Sequence, residues 1–473
     1  MRKTLQSSYS SNFWKERVIS DDSMLVTVDS GEWCILSNDE YLQLRNGGIQ
    51  GDDLMLRLKD SHILLDEKGR GEFLEIMRKR YVDVLTRPIL HIVVLTPQCN
   101  LRCIYCQAAL NQGTQGAMTI EIARKTLSHI INFSGDSYTL ELQGGEPSLN
   151  FDVIKYLVSE NKRLTELHNK RYSVAIVTNF TDVLTEEKMR FLIENDVDIS
   201  TSLDGPKSVH EDNRNRNYPG GFEVFASKVK LYNRLFEEIK GTQPKLGAMV
   251  TATRAVLDKP RETIDTYINL GIYSMFIRPV NPIGRGAVMR PELDYDIEDF
   301  LIYWEGIVDY IVELWDSGIQ IDEGYLTLLL RKIFHRDNNY MDLRSPCGAA
   351  FGQRTYNFDG RIYTCDEGRM VESQDFCLGS VDNSIEEIND SFNGLKTFEA
   401  SLSELSYCEF CAYKPFCGTC PLLNWKATGN PTTSIWNSRR CKLLRGMLDI
   451  VFRKFLTDEH ARRVFGEMVV NSI

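Results

Sequence analysis

From residue 87 to about 330 the apolar positions switch repeatedly between two periods. Strand-like segments read at 89–95, 138–143, 172–178, 197–203, 245–251 and 272–278. Between and after them, apolar residues recur at helical spacing near 119–133, 151–168, 185–195, 222–238, 260–270 and 296–316. Strands and helices that alternate in this way predict an α/β fold with a parallel sheet and covering helices. Six βα pairs are two short of a closed eight-stranded barrel, which predicts a partial (β/α)6 barrel of TIM-like type.

The flanking segments follow other patterns. Residues 23–28 and 32–36 read as β-type runs joined around Asp29-Ser30-Gly31, a hairpin signal. Ser37-Asn38-Asp39 then caps a helical stretch, DEYLQLRN, and a second amphipathic segment, DDLMLRLKD, precedes an apolar ILL. Residues 1–86 are therefore expected to form a small module or an extension packed on the barrel. Residues 331–346 read as a linker, 347–441 as a cysteine-rich domain, and 442–473 as a C-terminal segment with a helix over 442–465.

With 42% hydrophobic and 26% charged residues in 473, the composition is that of a soluble globular chain of several domains. A net charge of −11 argues against nucleic acid as a partner. No run approaches the roughly 18 apolar residues of a membrane span. The basic N-terminus, MRKTLQSSYSSNFWKERV, lacks the apolar core of a signal peptide, so a cytoplasmic location is expected. In a reducing compartment the twelve cysteines are expected to be metal ligands rather than disulfides.

The most specific chemistry lies directly after the first barrel strand. Cys99, Cys103 and Cys106 are spaced C-x3-C-x2-C, and Thr96-Pro97 breaks the strand before them. Three thiolates can hold three corners of a 4Fe–4S cube and leave one iron without a protein ligand. A zinc site is the alternative, but it needs a fourth ligand, and no His or Cys lies in the next twenty residues. The second strand ends in Gly144-Gly145-Glu146-Pro147, where glycines allow close backbone approach and Glu146 offers a carboxylate. On its own this is an ordinary turn. Near the C-terminus come Cys347, Cys365, Cys377, Cys408, Cys411, Cys417, Cys420 and Cys441. The spacing over 408–420 also fits a zinc ribbon. Cys34 is left over and reads as a buried apolar residue.

These motifs together resemble radical S-adenosylmethionine enzymes that modify peptides. The resemblance implies that Gly144, Gly145, Glu146 and Pro147 hold the amino group of S-adenosylmethionine. It assigns Ser202, in TSLDGP, and Arg214, in HEDNR, to the ribose and the methionine carboxylate. Cleavage of S-adenosylmethionine would then yield a 5′-deoxyadenosyl radical that abstracts hydrogen from an unactivated carbon. The C-terminal cysteines are similar to the SPASM extension, which carries two auxiliary 4Fe–4S clusters. One would take Cys408, Cys411, Cys417 and Cys441, the other Cys347, Cys365 and Cys420. Two full clusters need eight thiolates, so Cys377 is expected as the eighth, the alternative being an open iron available to substrate. The Cys417–Cys420 spacing is one residue shorter than usual, which leaves the split between clusters open. Asp366, directly after Cys365, matches a general base of the related sulfatase-maturing enzymes; an Asp that only orients the loop is the alternative.

Residues 1–86 resemble the winged-helix-like modules that grip leader peptides. Over the whole chain, HIVVLTPQCNLRCIYCQ, QGGEPSLNFD, RPVNPIGRGA, YNFDGRIYTCDEGRM and KPFCGTCP resemble the maturases of the His-Xaa-Ser system. That resemblance implies a ribosomally made precursor peptide as substrate, oxidation or cross-linking as outcome, a second radical maturase as partner, and an electron donor such as flavodoxin or ferredoxin. Oxidation of Ser or Cys in the manner of a sulfatase maturase is a second reading. A radical enzyme acting on a small molecule and a non-catalytic iron–sulfur scaffold are the remaining alternatives.

Overall fold

The computed structural model describes residues 9–82, 88–108, 115–288, 293, 295–336, 343–371, 373–402, 407–432 and 436–471. Part of the linker reading, 337–342, and the junction at 83–87 lie outside these residues. The chain divides into two compact units. One holds residues 1–85, 326–348 and 399–473, the other 86–325 and 349–398.

The first unit opens with β1 (Ser10–Ser11), β2 (Trp14–Ser20), β3 (Ser23–Val28) and β4 (Trp33–Ser37). β2, β3 and β4 form an antiparallel sheet, and β1 pairs with β5 (Leu64–Leu65). Ser37 and Glu40 form a reciprocal capping box at the start of the helix Asn38–Asn46, and Gly47, at φ 73°, ends it. Val26, Val28, Cys34, Leu36, Leu44, Leu54 and Leu58 make the core of this region, and each fully buried aliphatic side chain contributes about 1.5–3 kcal/mol. The core does not stop at residue 85. Trp33 meets the edges of Phe334, Phe452 and Phe455 at 5.4–5.9 Å, and its indole donates to the Ile333 carbonyl at 3.1 Å. Arg17 forks onto Asp449 with both bonds at 2.5 Å. The C-terminal segment is two helices, Arg439–Thr457 and Glu459–Asn471, which meet at Asp458.

The second unit is built on β6 (Leu90–Val94), β7 (Ser137–Gln143), β8 (Arg171–Val177), β9 (Val197–Ser202), β10 (Gly247–Ala252), β11 (Ser274–Pro279) and β12 (Asp322–Glu323). All are parallel, in sequence order across the sheet, as expected of a partial barrel. β6 is buried along its whole length, which is why LHIVV reads as an unbroken apolar run. The sheet continues past β6 in a way the sequence pattern does not anticipate. β13 (Gln353–Tyr356) adds in parallel, followed by antiparallel β14 (Arg361–Tyr363) and β15 (Cys377–Ser380). The fold is thus an α/β architecture around a mostly parallel sheet.

His91, on β6, is fully buried between Tyr138 and Tyr356 with Nε2 2.8 Å from Ser134 Oγ. Burial, reinforced by Arg354, pushes its imidazole down to about 3. Below the unfolded value near 6.5 only the unfolded chain takes up this proton, so stability falls as pH drops toward 3. Urea unfolding at pH 7 and pH 4 is expected to show a loss of about 3 kcal/mol from this group. His91→Gln should flatten that dependence; an equally steep one would remove His91 from the account.

Candidate cluster and cofactor site

The three-cysteine loop is placed by backbone contacts from three directions. After β6, the Thr96 carbonyl accepts from Gly145 N and the Gln98 carbonyl from Glu146 N, both at 2.8 Å. A Cβ on Gly144 would lie 2.6 Å from Thr96 O, and one on Gly145 2.3 Å from Gln98 O. These glycines therefore let the turn after β7 close onto the cysteine loop. From the far side, Ile104 N donates to Asn213 O at 2.9 Å. The third contact comes from the NPIGRGA segment: Arg285 N donates to Cys106 O at 3.0 Å, and its Nη1 to Cys103 O at 3.3 Å. Gly284 sits at φ 58°, where a Cβ would meet Gln107 O at 2.2 Å. Gly284→Ala is expected to lower the iron held after anaerobic reconstitution at least severalfold, against no change for Gly48→Ala, whose Cβ would meet nothing within 4 Å. Equal iron in both variants would show that this segment is not needed to hold the loop.

The thiols of Cys99, Cys103 and Cys106 act electrostatically on one another. Burial pushes Cys99 up to about 11 and Cys103 to about 12, with Arg214 opposing both shifts. Among the described residues no three such donors converge on a single ion point. Three thiols are the number that a 4Fe–4S cluster with one open iron takes from the protein.

Glu146 is buried beside this loop. Its Oε1 accepts from Ser148 N at 3.0 Å, Ser148 Oγ at 2.5 Å and Thr178 Oγ1 at 2.8 Å, and its Oε2 from Asn179 N at 2.8 Å. Oε2 thus keeps capacity for another donor. Asn179 also reaches Cys99 Sγ at 3.7 Å and Asn100 Oδ1 at 2.8 Å, so the end of β8 ties the Glu146 turn to the first cysteine. Pro147 starts the short turn over 147–150 and is buried. Ser202 is the half-buried last residue of β9.

Arg214 ends the helix Lys207–Arg214 and is 8% exposed. Its Nη1 lies 3.8 Å from Asp204 Oδ1, and the Tyr105 hydroxyl donates to Asp204 Oδ2 at 2.6 Å. Burial opposes its charge, and Tyr105, Cys103 and Asp204 more than offset that, so the net shift is upward. The guanidinium is therefore a fixed cation next to the cysteine loop. Thr178 and Asn179 lie in no motif, while Asp204 and Arg285 lie within TSLDGP and RPVNPIGRGA without being singled out as site residues.

Of the C-terminal cysteines, Cys411, Cys417 and Cys441 act electrostatically on one another within the first unit. Cys347, Cys408 and Cys420 belong to the same unit, Cys365 and Cys377 to the other. Cys377 opens β15 and pairs in register with Tyr363, two residues before Cys365. Cys365 Sγ accepts from Gly368 N at 3.3 Å and caps the short helix Asp366–Met370. Asp366 Oδ1 accepts from Arg369 Nε at 2.8 Å, and Arg369 in turn acts on the Cys106 thiol. Cys34 is buried in the core around β3 and β4.

Residues 93–240, which run from β6 through the strands that carry Cys99–Cys106, Glu146 and Arg214, match the Radical SAM superfamily. This segment is a radical SAM domain. A cysteine-type anaerobic sulfatase-maturating enzyme of Clostridium perfringens is 24% identical over 275 residues, 57% of this chain and 71% of that protein. Among solved structures, native anSMEcpe with bound AdoMet has a TM-score of 0.67 at 17% identity, covering 80% of this chain and 100% of that one. Streptococcus suis SuiB bound to its precursor peptide SuiA has a TM-score of 0.56 at 14% identity, covering 91% and 99%. These structures share the fold. The radical SAM family implies a 4Fe–4S cluster and S-adenosylmethionine. The residues fit that pair: one buried and two half-buried thiols, a carboxylate oxygen with spare capacity and a fixed cation surround one loop.

Proposed function

We propose that this chain is a radical SAM maturase that modifies a ribosomally made precursor peptide of the His-Xaa-Ser type by hydrogen abstraction. The observation that carries the radical chemistry is the convergence of Cys99, Cys103, Cys106, Glu146 and Arg214 around the loop after β6. Cys99, Cys103 and Cys106 would hold the 4Fe–4S cluster, which with S-adenosylmethionine bound would supply the one-electron reductive cleavage that starts hydrogen abstraction. The chain's own groups then do the orienting. Glu146 Oε2 receives the amino group of S-adenosylmethionine, held in place by Asn179 and Thr178. Arg214, fixed by Asp204, faces the carboxylate, and Ser202 serves the ribose. Asp204 in turn is held by Tyr105, so the residue between two cluster ligands and the cation are parts of one buried network.

A peptide substrate is favoured by the sheet and helices of residues 9–82 and by fold similarity to SuiB over most of the chain. The leader is assigned to this region by β-augmentation, where an extended segment pairs with a strand edge. Among the described residues β4 has a strand partner on one side only, β3. Two auxiliary clusters are assigned to the C-terminal cysteines, with Cys377 as the eighth ligand and Asp366 as the base beside them. An electron donor of flavodoxin or ferredoxin type and a second maturase belong to the same reading, and a cytoplasmic location suits its reduced thiols.

The test is mass spectrometry of a His-Xaa-Ser precursor incubated with reconstituted enzyme, S-adenosylmethionine and dithionite. A change in peptide mass that requires all three is expected. Asp366→Asn should lower peptide modification at least about a hundredfold, the lower range of general-base effects, while 5′-deoxyadenosine still forms. Unchanged modification would leave Asp366 as an orienting residue only. The likeness to sulfatase-maturating enzymes favours a second reading, oxidation of a single Ser or Cys. A sulfatase-type peptide modified in preference to the precursor would select it.

A further inference from the structure

Two buried or half-buried cations grip the loop that carries Cys417. Lys332, in the helix Gly324–Phe334, is 2% exposed. Its ammonium donates to the main-chain oxygen of Leu343 and, at 3.2 Å, to that of Phe416, the residue before Cys417. Arg440 Nε donates at 3.2 Å to the Gly418 carbonyl, directly after Cys417. The main chain is thus held on both sides of one sulfur. A Cβ on Gly418 would lie 2.7 Å from Arg344 O, so the loop is also closely packed.

The electrostatics of this arrangement are one-sided. Cys417 is the neighbour that favours the charge of the buried Lys332 ammonium, and Arg80 and Arg440 repel it. Arg440 and Lys332 in turn favour the negative charge on Cys417. A buried ammonium placed among guanidinium groups is costly without an anion. Cys411 and Cys441 also act on Cys417, so the anion that suits the site is one shared by several sulfurs.

We propose that Lys332 and Arg440 are positioning residues that hold Cys417 as a ligand of an auxiliary 4Fe–4S cluster and raise the reduction potential of that cluster. The inference rests on the auxiliary-cluster reading given above. Its physical basis is that one-electron reduction adds negative charge, and net charge and hydrogen bonding around the sulfurs set such potentials. Fixed cations against the ligand loop favour the reduced form. They act from within the same compact unit as Cys408, Cys411, Cys417 and Cys441.

The experiment uses the full chain, reconstituted anaerobically, as wild type, Lys332→Met and Arg440→Gln. Iron and sulfide are counted first, and the midpoint of each cluster signal is then read by electron paramagnetic resonance during titration with dithionite. Arg440→Gln keeps a donor for Gly418 O but removes the charge. It is expected to retain its iron and to shift one auxiliary signal downward by at least a factor of ten in the reduction equilibrium, about 59 mV for a one-electron couple. Lys332→Met should shift the same signal in the same direction, or lose that cluster if the two carbonyls left unpaired open the loop. Full iron with an unmoved midpoint in Arg440→Gln overturns the proposal, and so does loss of its cluster, which would make the cations structural props. Wild-type protein holding only about four irons overturns it at an earlier point, because the auxiliary-cluster reading itself then fails.

Discussion

Replacing Cys99, Cys103 and Cys106 together by alanine is expected to abolish 5′-deoxyadenosine formation under dithionite while iron bound elsewhere in the chain remains. The reasoning starts from how the loop is held. Its backbone is fixed by Gly145 N, Glu146 N, Asn213 O and Arg285 N, none of which depends on a sulfur. Removing the thiols therefore takes away the ligands without dismantling the scaffold, and alanine fits in the space of each cysteine, buried at 103 and half-buried at 99 and 106. A loss below detection is the expected scale, because without ligands no electron reaches S-adenosylmethionine. Undiminished cleavage by the triple variant would end the assignment of this loop.

Trp33→Ala is expected to destabilise the unit formed by residues 1–85, 326–348 and 399–473 by about 4 kcal/mol. About 3 kcal/mol of this comes from packing, the low end of the range for a large aromatic because the indole is half-buried. About 1 kcal/mol comes from the hydrogen bond to the Ile333 carbonyl. Trp33 lies early in the chain but packs on Phe334, Phe452 and Phe455, so its loss is felt by the C-terminal helix. Urea unfolding followed by tyrosine fluorescence and by far-UV circular dichroism should show the midpoint of this unit shifted, with the second unit's transition unmoved. A change below about 1 kcal/mol would mean that the N-terminal strands are an appendage rather than part of a shared core. The same packing means that deleting residues 1–86 removes more than a leader-binding surface. Point variants are the cleaner probe of that surface.

The barrel strands were legible because each carries a local signature: β6 is buried along its length, while β7, β9, β10 and β11 alternate between buried and more exposed positions. LHIVV in β6 and SYTLELQ in β7 show two forms of it, one continuous and one alternating. β2 was not legible. Its WKERVIS mixes charged and apolar residues, and its Arg17 and Lys15 find their carboxylate partners at Asp449 and Asp29. β13 was missed for a different reason. Its pairing with β6 joins Arg354 to His91, a contact with no signal in either local segment. At the site, the cysteines, Glu146 and Arg214 stood out through motif spacing. Asn179 and Thr178 did not, since the end of β8 reads only as a strand followed by a polar turn. The glycines before Glu146 were visible, but their packing role was not. Their missing side chains make room for the carbonyls of Thr96 and Gln98, and only the fold brings those atoms there.

The central claim is that the radical formed at this site takes hydrogen from a peptide. The most direct measurement is deuterium transfer from a precursor peptide labelled at its side-chain carbons into 5′-deoxyadenosine, read by mass spectrometry with reconstituted enzyme, S-adenosylmethionine and dithionite. The account predicts deuterated 5′-deoxyadenosine formed together with modified peptide. Modified peptide accompanied only by unlabelled 5′-deoxyadenosine would contradict it.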